Sequence, residues 1–397
     1  MSDSSNYTNA RAADTPIYLD YNATTPVDAR VFARMAPYFT AAFGNAASRD
    51  HAFGWDAAAA VDEARYHVAS LINARPGEIV FTSCSTESIN LALKGVARGG
   101  AGRAVVTSVV EHEAVLSACR QVEADVEVSY LGVDGAGRLD LGELAESVGS
   151  KATRLVALMF ANNEIGNVNP IRQASKIAHD AGALLFTDAT QAVGKVPVDV
   201  RADGVDLAAF SAHKIYGPKG VGALFIRGGA SGTKLEPLIA GGGQERGVRG
   251  GTLNVPGIVG FGEACRIARL EMGEESERVG RLRDGLEEVL LKELPDVHVN
   301  GDRGGRLPNT SNITFDGVDA RSLIRHMKDV AVSTGSACST GSADPSHVLK
   351  ALGLNNEQAY SSVRFSLGRF TTEAEIEHAV ERVVSSVRKL RDAPRSG

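Results

Sequence analysis

The sequence predicts an α/β protein in which a mainly parallel sheet is covered by helices on both faces and followed by a smaller α+β domain. From Glu78 onward, short apolar runs alternate with helical patterns of about ten residues, the signature of strand–helix–strand crossovers. Runs such as Ala183 to Thr187 are apolar almost throughout, as strands buried on both faces must be. Glycine is abundant, 43 residues, while aromatics make up only 6%, which suits a chain rich in tight strand-to-helix turns.

Residues 1–15 are polar and lack an apolar core, so a disordered tail is expected there and not a signal peptide. Ile17 to Asp20 reads as a short strand that ends at Asn22-Ala-Thr-Thr-Pro26. Helical patterns run from Asp28 to Ala42 and, after Phe43-Gly-Asn45, from Gly54 to Ala74. Strands are then expected over Glu78 to Thr82, Ala104 to Ser108, Val126 to Tyr130 and Leu155 to Phe160. Three more follow over Ala183 to Thr187, Leu207 to Phe210 and Gly222 to Ile226. The helices between them cover Thr86 to Val96, Glu113 to Glu123, Leu141 to Ser147 and Ile171 to Ala181. After the glycine-rich Gly241-Gly-Gly-Gln-Glu-Arg-Gly247 comes a helical stretch from Asn254 to Leu294, broken or kinked at Pro256 or Gly273. It carries the chain into the second domain, where Thr310 to Phe315 and Ser362 to Ser366 read as strands. Ala320 to Lys328, Ser346 to Leu352 and Thr372 to Leu390 read as helices. The expected division is a large domain over 16–262, with its first residues able to pack on the other unit, and a small domain over 263–397.

A net charge of −6 with both signs interspersed excludes the basic footprint of a nucleic-acid binder. The four cysteines, Cys84, Cys119, Cys265 and Cys338, lack CxxC pairing, which argues against a zinc site and a secreted disulfide framework. No apolar run approaches the roughly 20 residues that span a bilayer. A soluble, cytoplasmic enzyme with no membrane or nucleic-acid partner is the expectation.

Ligands of parallel sheets sit at the carboxyl ends of strands, and several of these strands end in chemistry-bearing residues. Ser211-Ala-His-Lys214 fixes a lysine at a strand end, a candidate for Schiff-base chemistry with an aldehyde cofactor, though a lone lysine also reads as surface charge. Asp188 ends another strand and suits either a turn or the counter-charge of a protonated pyridine nitrogen. Thr82-Ser-Cys-Ser85-Thr86 opens a helix, where backbone N–H groups and hydroxyls form a phosphate site or simply a cap. Ser211 and His213 can add donors to the same phosphate. His112 follows a strand and is either a ring-stacking or proton-shuttling imidazole or a surface residue. Asn163 offers an amide at a further strand end. Cys338 lies in Ser333-Thr-Gly-Ser-Ala-Cys338-Ser-Thr-Gly-Ser342, a small-residue run expected to form an exposed, mobile loop, and is either a nucleophile or a bystander thiol. Arg364, on a predicted strand, is either a fork for a carboxylate or a structural arginine.

Together these residues resemble the cysteine desulfurases, pyridoxal-phosphate enzymes of the class V aminotransferase fold, and within them the group with a long cysteine loop. The likeness runs from Ile17 to Arg391. It is carried by Leu19-Asp-Tyr-Asn-Ala-Thr-Thr-Pro26, Glu111-His112, Asn162-Asn-Glu-Ile-Gly166, Asp188-Ala-Thr-Gln191 and Ser211 to Gly220. Gly241 to Gly247, Gly335-Ser-Ala-Cys338 and Arg364-Phe-Ser-Leu-Gly368 complete it. The resemblance implies an aspartate aminotransferase-like fold with a seven-stranded sheet in the large domain, and pyridoxal 5′-phosphate as cofactor. It implies Lys214 as Schiff-base lysine, Asp188 on the pyridine nitrogen, and His112 stacked on the ring and catalytic. Gln191 and Asn163 contact the ring hydroxyl, and Ser85, Thr86, Ser211 and His213 surround the phosphate. Thr252 reaches the phosphate of the neighbouring subunit of a homodimer. Asn163 and Arg364 bind the substrate carboxylate, and Cys338 accepts sulfur from L-cysteine as a persulfide, leaving L-alanine. An iron–sulfur scaffold protein or another sulfur acceptor is the implied partner, with no metal in the active site beyond transient ligation of a cluster by Cys338. Three positions depart from the family pattern: Cys84 where glycine is usual, Ala46 where proline is common, and Gly250 where serine or proline is more usual.

Overall fold

The computed structural model describes residues 15–97, 104–229, 232–334 and 344–393. Cys338 and nearly all of the N-terminal tail lie outside the described residues. In chain order the elements are β1 (Ile17–Tyr18), α1 (Ala29–Met35), α2 (Ala52–Leu71), β2 (Ile79–Thr82), α3 (Ser85–Ala97), β3 (Ala104–Ser108) and α4 (Glu113–Val122). Next come β4 (Glu127–Leu131), α5 (Leu141–Gly149), β5 (Thr153–Ala157), α6 (Ile171–Asp180), β6 (Leu184–Asp188), β7 (Leu207–Ser211) and β8 (Gly222–Ile226). The chain then forms α7 (Val255–Glu293), β9 (Val297–Asn300), β10 (Thr310–Phe315), α8 (Ala320–His326) and β11 (Val330–Ala331). It closes with α9 (His347–Ala351), α10 (Asn356–Tyr360), β12 (Ser362–Ser366) and α11 (Glu373–Asp392).

Seven strands form the central sheet in the order β2-β8-β7-β6-β5-β3-β4, parallel except for β8, which runs against both its neighbours. The connection from β7 to β8 is too short for a crossover helix, so the two strands must pair antiparallel. Alternate residues of each strand feed opposite cores. Val106, Val156, Leu185, Ala208 and Phe210 face α2, α5, α6 and the first half of α7. Val105, Leu155, Phe186, Leu207 and Ala209 face α3 and α4. That two-sided burial is why the strands read as continuous apolar runs.

A second core gathers Val279, Leu282, Leu286 and Leu290 of α7 with β10, β12, α8 and α11. β10 pairs antiparallel with both β9 and β12. α7 thus runs unbroken through both cores, and the break expected at Pro256 or Gly273 is absent. Pro256 sits in the first turn behind the Asn254 N-cap, where no N–H is required. At Gly273 a Cβ would meet open space, so the residue costs helix propensity without bending the axis. The helix expected to reach Ala42 ends instead at Met35 and tightens to a 3₁₀ turn at Pro37. β1 pairs with β11, and Leu19 enters the second core, so the chain start straps the two cores together. The short β9, β11 and α10 escape the sequence reading because two to five residues carry no resolvable period.

Candidate active site

Every strand of the large sheet except β8 runs the same way, so the carboxyl ends of β2, β3, β5, β6 and β7 converge on one rim. There they surround a cavity of about 250 Å³. From β2 and the start of α3 come Cys84, Ser85 and Thr86. His112 follows β3, Met159 and Asn163 follow β5, Asp188 and Gln191 follow β6, and His213 and Lys214 follow β7. Arg364 of β12 closes the cavity from the small core, and Asn22 from the N-terminal strap. The α3 N-terminus can approach because Gly222 lies beneath it: a Cβ there would come within 2.7 Å of the Cys84 backbone. Glu87, in the first turn of α3, accepts from the Ser83 N–H at 2.7 Å and pairs with Arg249 at 2.8 Å.

Lys214 ends a single 3₁₀ turn, and its Nζ donates to the carbonyls of Asn22 (2.5 Å) and Ala23 (2.8 Å). The turn is clamped by the strap: the Thr25 N–H donates to the His213 carbonyl, and the Tyr216 N–H to Thr25 Oγ1. Those bonds hold Tyr216 at φ 65°, a left-handed conformation that costs a bulky residue about 1 kcal/mol or more. His213 donates to or accepts from Thr24 Oγ1 at 3.1 Å; burial, then the charges of Lys214, Lys219 and Lys195, push its imidazole down to about 4. It is therefore neutral at physiological pH.

His112 is the N-cap of α4, its Nδ1 accepting from the Ala114 N–H at 3.1 Å. In the neutral ring this places the proton on Nε2. Glu111, beside it, is fully buried; Oε1 accepts from Ser108 Oγ and the Met159 N–H, and Oε2 has no partner among the described residues. Burial, with the Asp188 charge adding to it, pushes this carboxyl up to about 8 against those two hydrogen bonds. Asp188 accepts from the Thr190 N–H at 3.0 Å. Arg364, only 2% exposed, donates to the Asn163 carbonyl (2.9 Å) and to Asp20 (2.6 Å).

Of the residues expected from sequence, nine line this cavity: Ser85, Thr86, His112, Asn163, Asp188, Gln191, His213, Lys214 and Arg364. Ser211 does not; its hydroxyl donates to the Val221 carbonyl at 3.3 Å, one residue pair along the β7–β8 ladder. Thr252 is exposed and does not line this cavity. Cys338 is outside the described residues, but the flanking chain is tied to the rim. Ser333 exchanges backbone hydrogen bonds with Arg364. Ser346 Oγ donates to Glu164 at 2.5 Å, and His347 Nε2 bonds the Glu111 carbonyl at 3.0 Å. Cys119 and Cys265 are buried in apolar cores, where burial pushes the first thiol up to about 12 and the second well above the usual range, so neither is a nucleophile.

Asn22, Asp20, Thr190 and Lys195 were missed as site residues. Asn22 and Asp20 sit in the quoted N-terminal motif, which could have flagged them; Lys195 follows Gln191 at helical spacing. The donor set fits a phosphorylated pyridine aldehyde: an amine, a carboxylate at a strand end, a capping imidazole and a helix N-terminus all converge. Thr190 Oγ1 and Arg364 Nε, on two residues that line the cavity, are buried and have no hydrogen-bond partner among the described residues.

A parallel sheet with a lysine at the rim and a strand-end carboxylate defines an enzyme of the class-V aminotransferase type, and the family model for aminotransferase class-V matches residues 17–379. A curated cysteine desulfurase IscS from Anaeromyxobacter sp. (strain Fw109-5) is 51% identical over 380 residues, covering 95% of this chain and 94% of that one. Among solved structures, a NifS-like protein superposes with a TM-score of 0.87 at 36% identity, over 94% of this chain and all of the other. SspA in complex with cysteine gives 0.78 at 34%, over 90% of this chain and all of the other. The chain belongs to the cysteine desulfurase family, whose cofactor is pyridoxal 5′-phosphate.

Proposed function

We propose that the chain converts L-cysteine to L-alanine and keeps the sulfur on Cys338 as a persulfide, for transfer to an iron–sulfur scaffold protein or another acceptor in the cytoplasm. The observation that carries this reading is the convergence of Lys214, Asp188, His112 and Arg364 on one cavity, with the chain on both sides of Cys338 tied to its rim. Asp188 would hold the pyridine nitrogen, Gln191 and Asn163 the ring hydroxyl, and Ser85, Thr86 and His213 the phosphate at the α3 N-terminus. When bound, pyridoxal 5′-phosphate supplies an electron sink for charge released at the substrate α-carbon.

The chain's own groups do the rest. Arg364 orients the substrate through its carboxylate, with the Asn163 carbonyl and Asp20 fixing the guanidinium plane. Lys214 Nζ takes the α-proton and returns it on the other side of the reaction. His112, its Nδ1 committed to the Ala114 N–H and its proton on Nε2, presents an N–H donor to the substrate sulfur. Cys338 Sγ attacks the substrate sulfur: one S–S bond forms, the Cβ–S bond breaks, and the carbon takes a proton to become alanine, so atoms and electrons balance. The subunit acts as a homodimer, with Thr252 directed to the neighbour's phosphate; Phe39 and Phe43 on the connection after α1, and Phe53, Trp55 and Tyr66 on α2, stand exposed, the kind of apolar surface an interface covers.

An aminotransferase or β-lyase would use the same lysine and carboxylate without Cys338. Replacing Cys338→Ala separates the two: desulfuration should fall at least about a hundredfold while cofactor binding persists. Unchanged turnover in that variant would favour the rival chemistry.

A further inference from the structure

We infer that Lys195 is a positioning residue: its amine fixes the side-chain amide of Gln191 with the nitrogen turned toward the ring hydroxyl of the cofactor. The inference rests on the reading of Gln191 given above. Lys195 is half-buried just beyond the Gln191 turn, its carbonyl accepting from Ser276 Oγ at 2.6 Å. Its Nζ donates to Gln191 Oε1 at 2.6 Å and to Asn22 Oδ1 at 3.2 Å.

Both acceptors are unambiguous. Gln191 Nε2 lies 2.9 Å from the Asn22 backbone carbonyl, which can only accept, so the nitrogen must face it and Oε1 must face Lys195. The Asn22 amide is fixed the same way. Its Nδ2 donates to the Asn163 carbonyl (3.1 Å) and Thr310 Oγ1 (2.8 Å), while Oδ1 also accepts from Asn309 at 3.0 Å. The Asn22 carbonyl that receives Gln191 is the one that receives Lys214, so a single chain of bonds joins the two lysines through the amide. Gln191 Nε2 keeps a second hydrogen on the cavity side. Without a donor at 195, Oε1 would be a buried acceptor with no partner, and the amide would turn to find one.

The charged groups around Lys195 come from three elements: Lys214 after β7, Arg364 on β12 and Glu275 on α7. Burial, then the Lys214 and Arg364 charges, push the amine well below the usual lysine range, with Glu275 opposing. A neutral amine still carries two N–H donors for these two acceptors, so the arrangement does not depend on its charge.

The test compares two ligands on the full-length chain after resolution and reconstitution: pyridoxal 5′-phosphate, and its 3-deoxy analogue lacking the ring hydroxyl. Lys195→Met should weaken pyridoxal 5′-phosphate by about fivefold to tenfold, the worth of one net hydrogen bond, and the analogue by less than about twofold. Gln191→Leu should show the same selectivity, and the double variant no further loss. Equal weakening of both ligands, or of neither, overturns the inference by making Lys195 merely structural or irrelevant. Should Lys195→Met fail to fold, Lys195→Leu, which likewise lacks a donor, takes its place in the same comparison. A parent chain in which borohydride reduction traps neither ligand on Lys214 refutes the cofactor reading itself, and the inference with it.

Discussion

Arg364 shows how one side chain earns its place at the residue scale. Its guanidinium is buried, two nitrogens are held by Asp20 and the Asn163 carbonyl, and the side chain so fixed lines the cavity. Lysine cannot reproduce that fork, so Arg364→Lys should raise KM for cysteine by about tenfold to a hundredfold, the loss of one or two charge-assisted hydrogen bonds. Steady-state kinetics would show it, with a smaller change in kcat. Glu111 gives a pH signature. Its carboxyl titrates near 8 in the folded chain against 4.5 unperturbed, so across that window the folded state holds a proton the unfolded state has released. Stability therefore falls as pH rises from about 4.5 to about 8. Glu111→Gln keeps the acceptor for Met159 and Ser108 but removes the titration. In urea unfolding at pH 5.5 and pH 8.5, the parent should lose about 1–3 kcal/mol more than the variant between the two; equal losses would mean the carboxyl is not held protonated.

Elements show which parts of this structure were legible in the sequence. Strands β2 to β8 could be read because burial on both faces makes each a continuous apolar run, and their polar ends marked the rim. Lys214, Asp188 and His112 stood out for that reason. The strap from Ile17 to Asp28 carries a family motif at Leu19 to Pro26, but its local pattern gives only a strand and a loop, because its work is long-range: Asn22 meets Lys214, Gln191 and Asn309, contacts that no local pattern encodes. Lys195 was hidden likewise, since a lysine at i+4 from a glutamine reads as surface until the chain folds over it. The segment Gly241 to Gly247 was read as glycine-rich, but its backbone is set by two non-glycine residues. Glu245 and Arg246 both adopt positive φ, 45° and 58°. Glu245 is held there by a two-nitrogen pair with Arg65 and by the Phe81 N–H. Glu245→Gln would leave the Arg65 guanidinium buried without its counter-charge and should cost about 3 kcal/mol, measured by denaturant unfolding. A loss near zero would show that the ion pair does not hold the loop that leads to Thr252.

At the scale of the whole molecule, α7 and the N-terminal strap tie the two cores together around the cavity. Asp28 sits at the junction, where its carboxylate accepts from Arg30 (2.8 Å) and Arg369 (2.8 Å), and Arg369 lies over the Tyr216 ring. Rigid cores joined in this way give the cavity fixed walls. The exposed aromatics on α2 and on the connection before it belong to the same scale, as the face on which the proposed dimer would form and bring Thr252 to the neighbour's phosphate. Changing Phe43 and Trp55 to serine should shift the chain toward monomer in sedimentation velocity and weaken cofactor retention together; monomer with full cofactor retention would separate Thr252 from the phosphate. Sulfur is expected to leave cysteine for Cys338 and for no other thiol, Cys84 at the cavity wall included. The direct measurement is to incubate the loaded enzyme with L-cysteine, quench under non-reducing conditions and weigh the cysteine-bearing peptides while assaying alanine. One added sulfur on the Cys338 peptide, in step with alanine, is the expected result. Alanine formed without that adduct, or with the sulfur on Cys84, would contradict it.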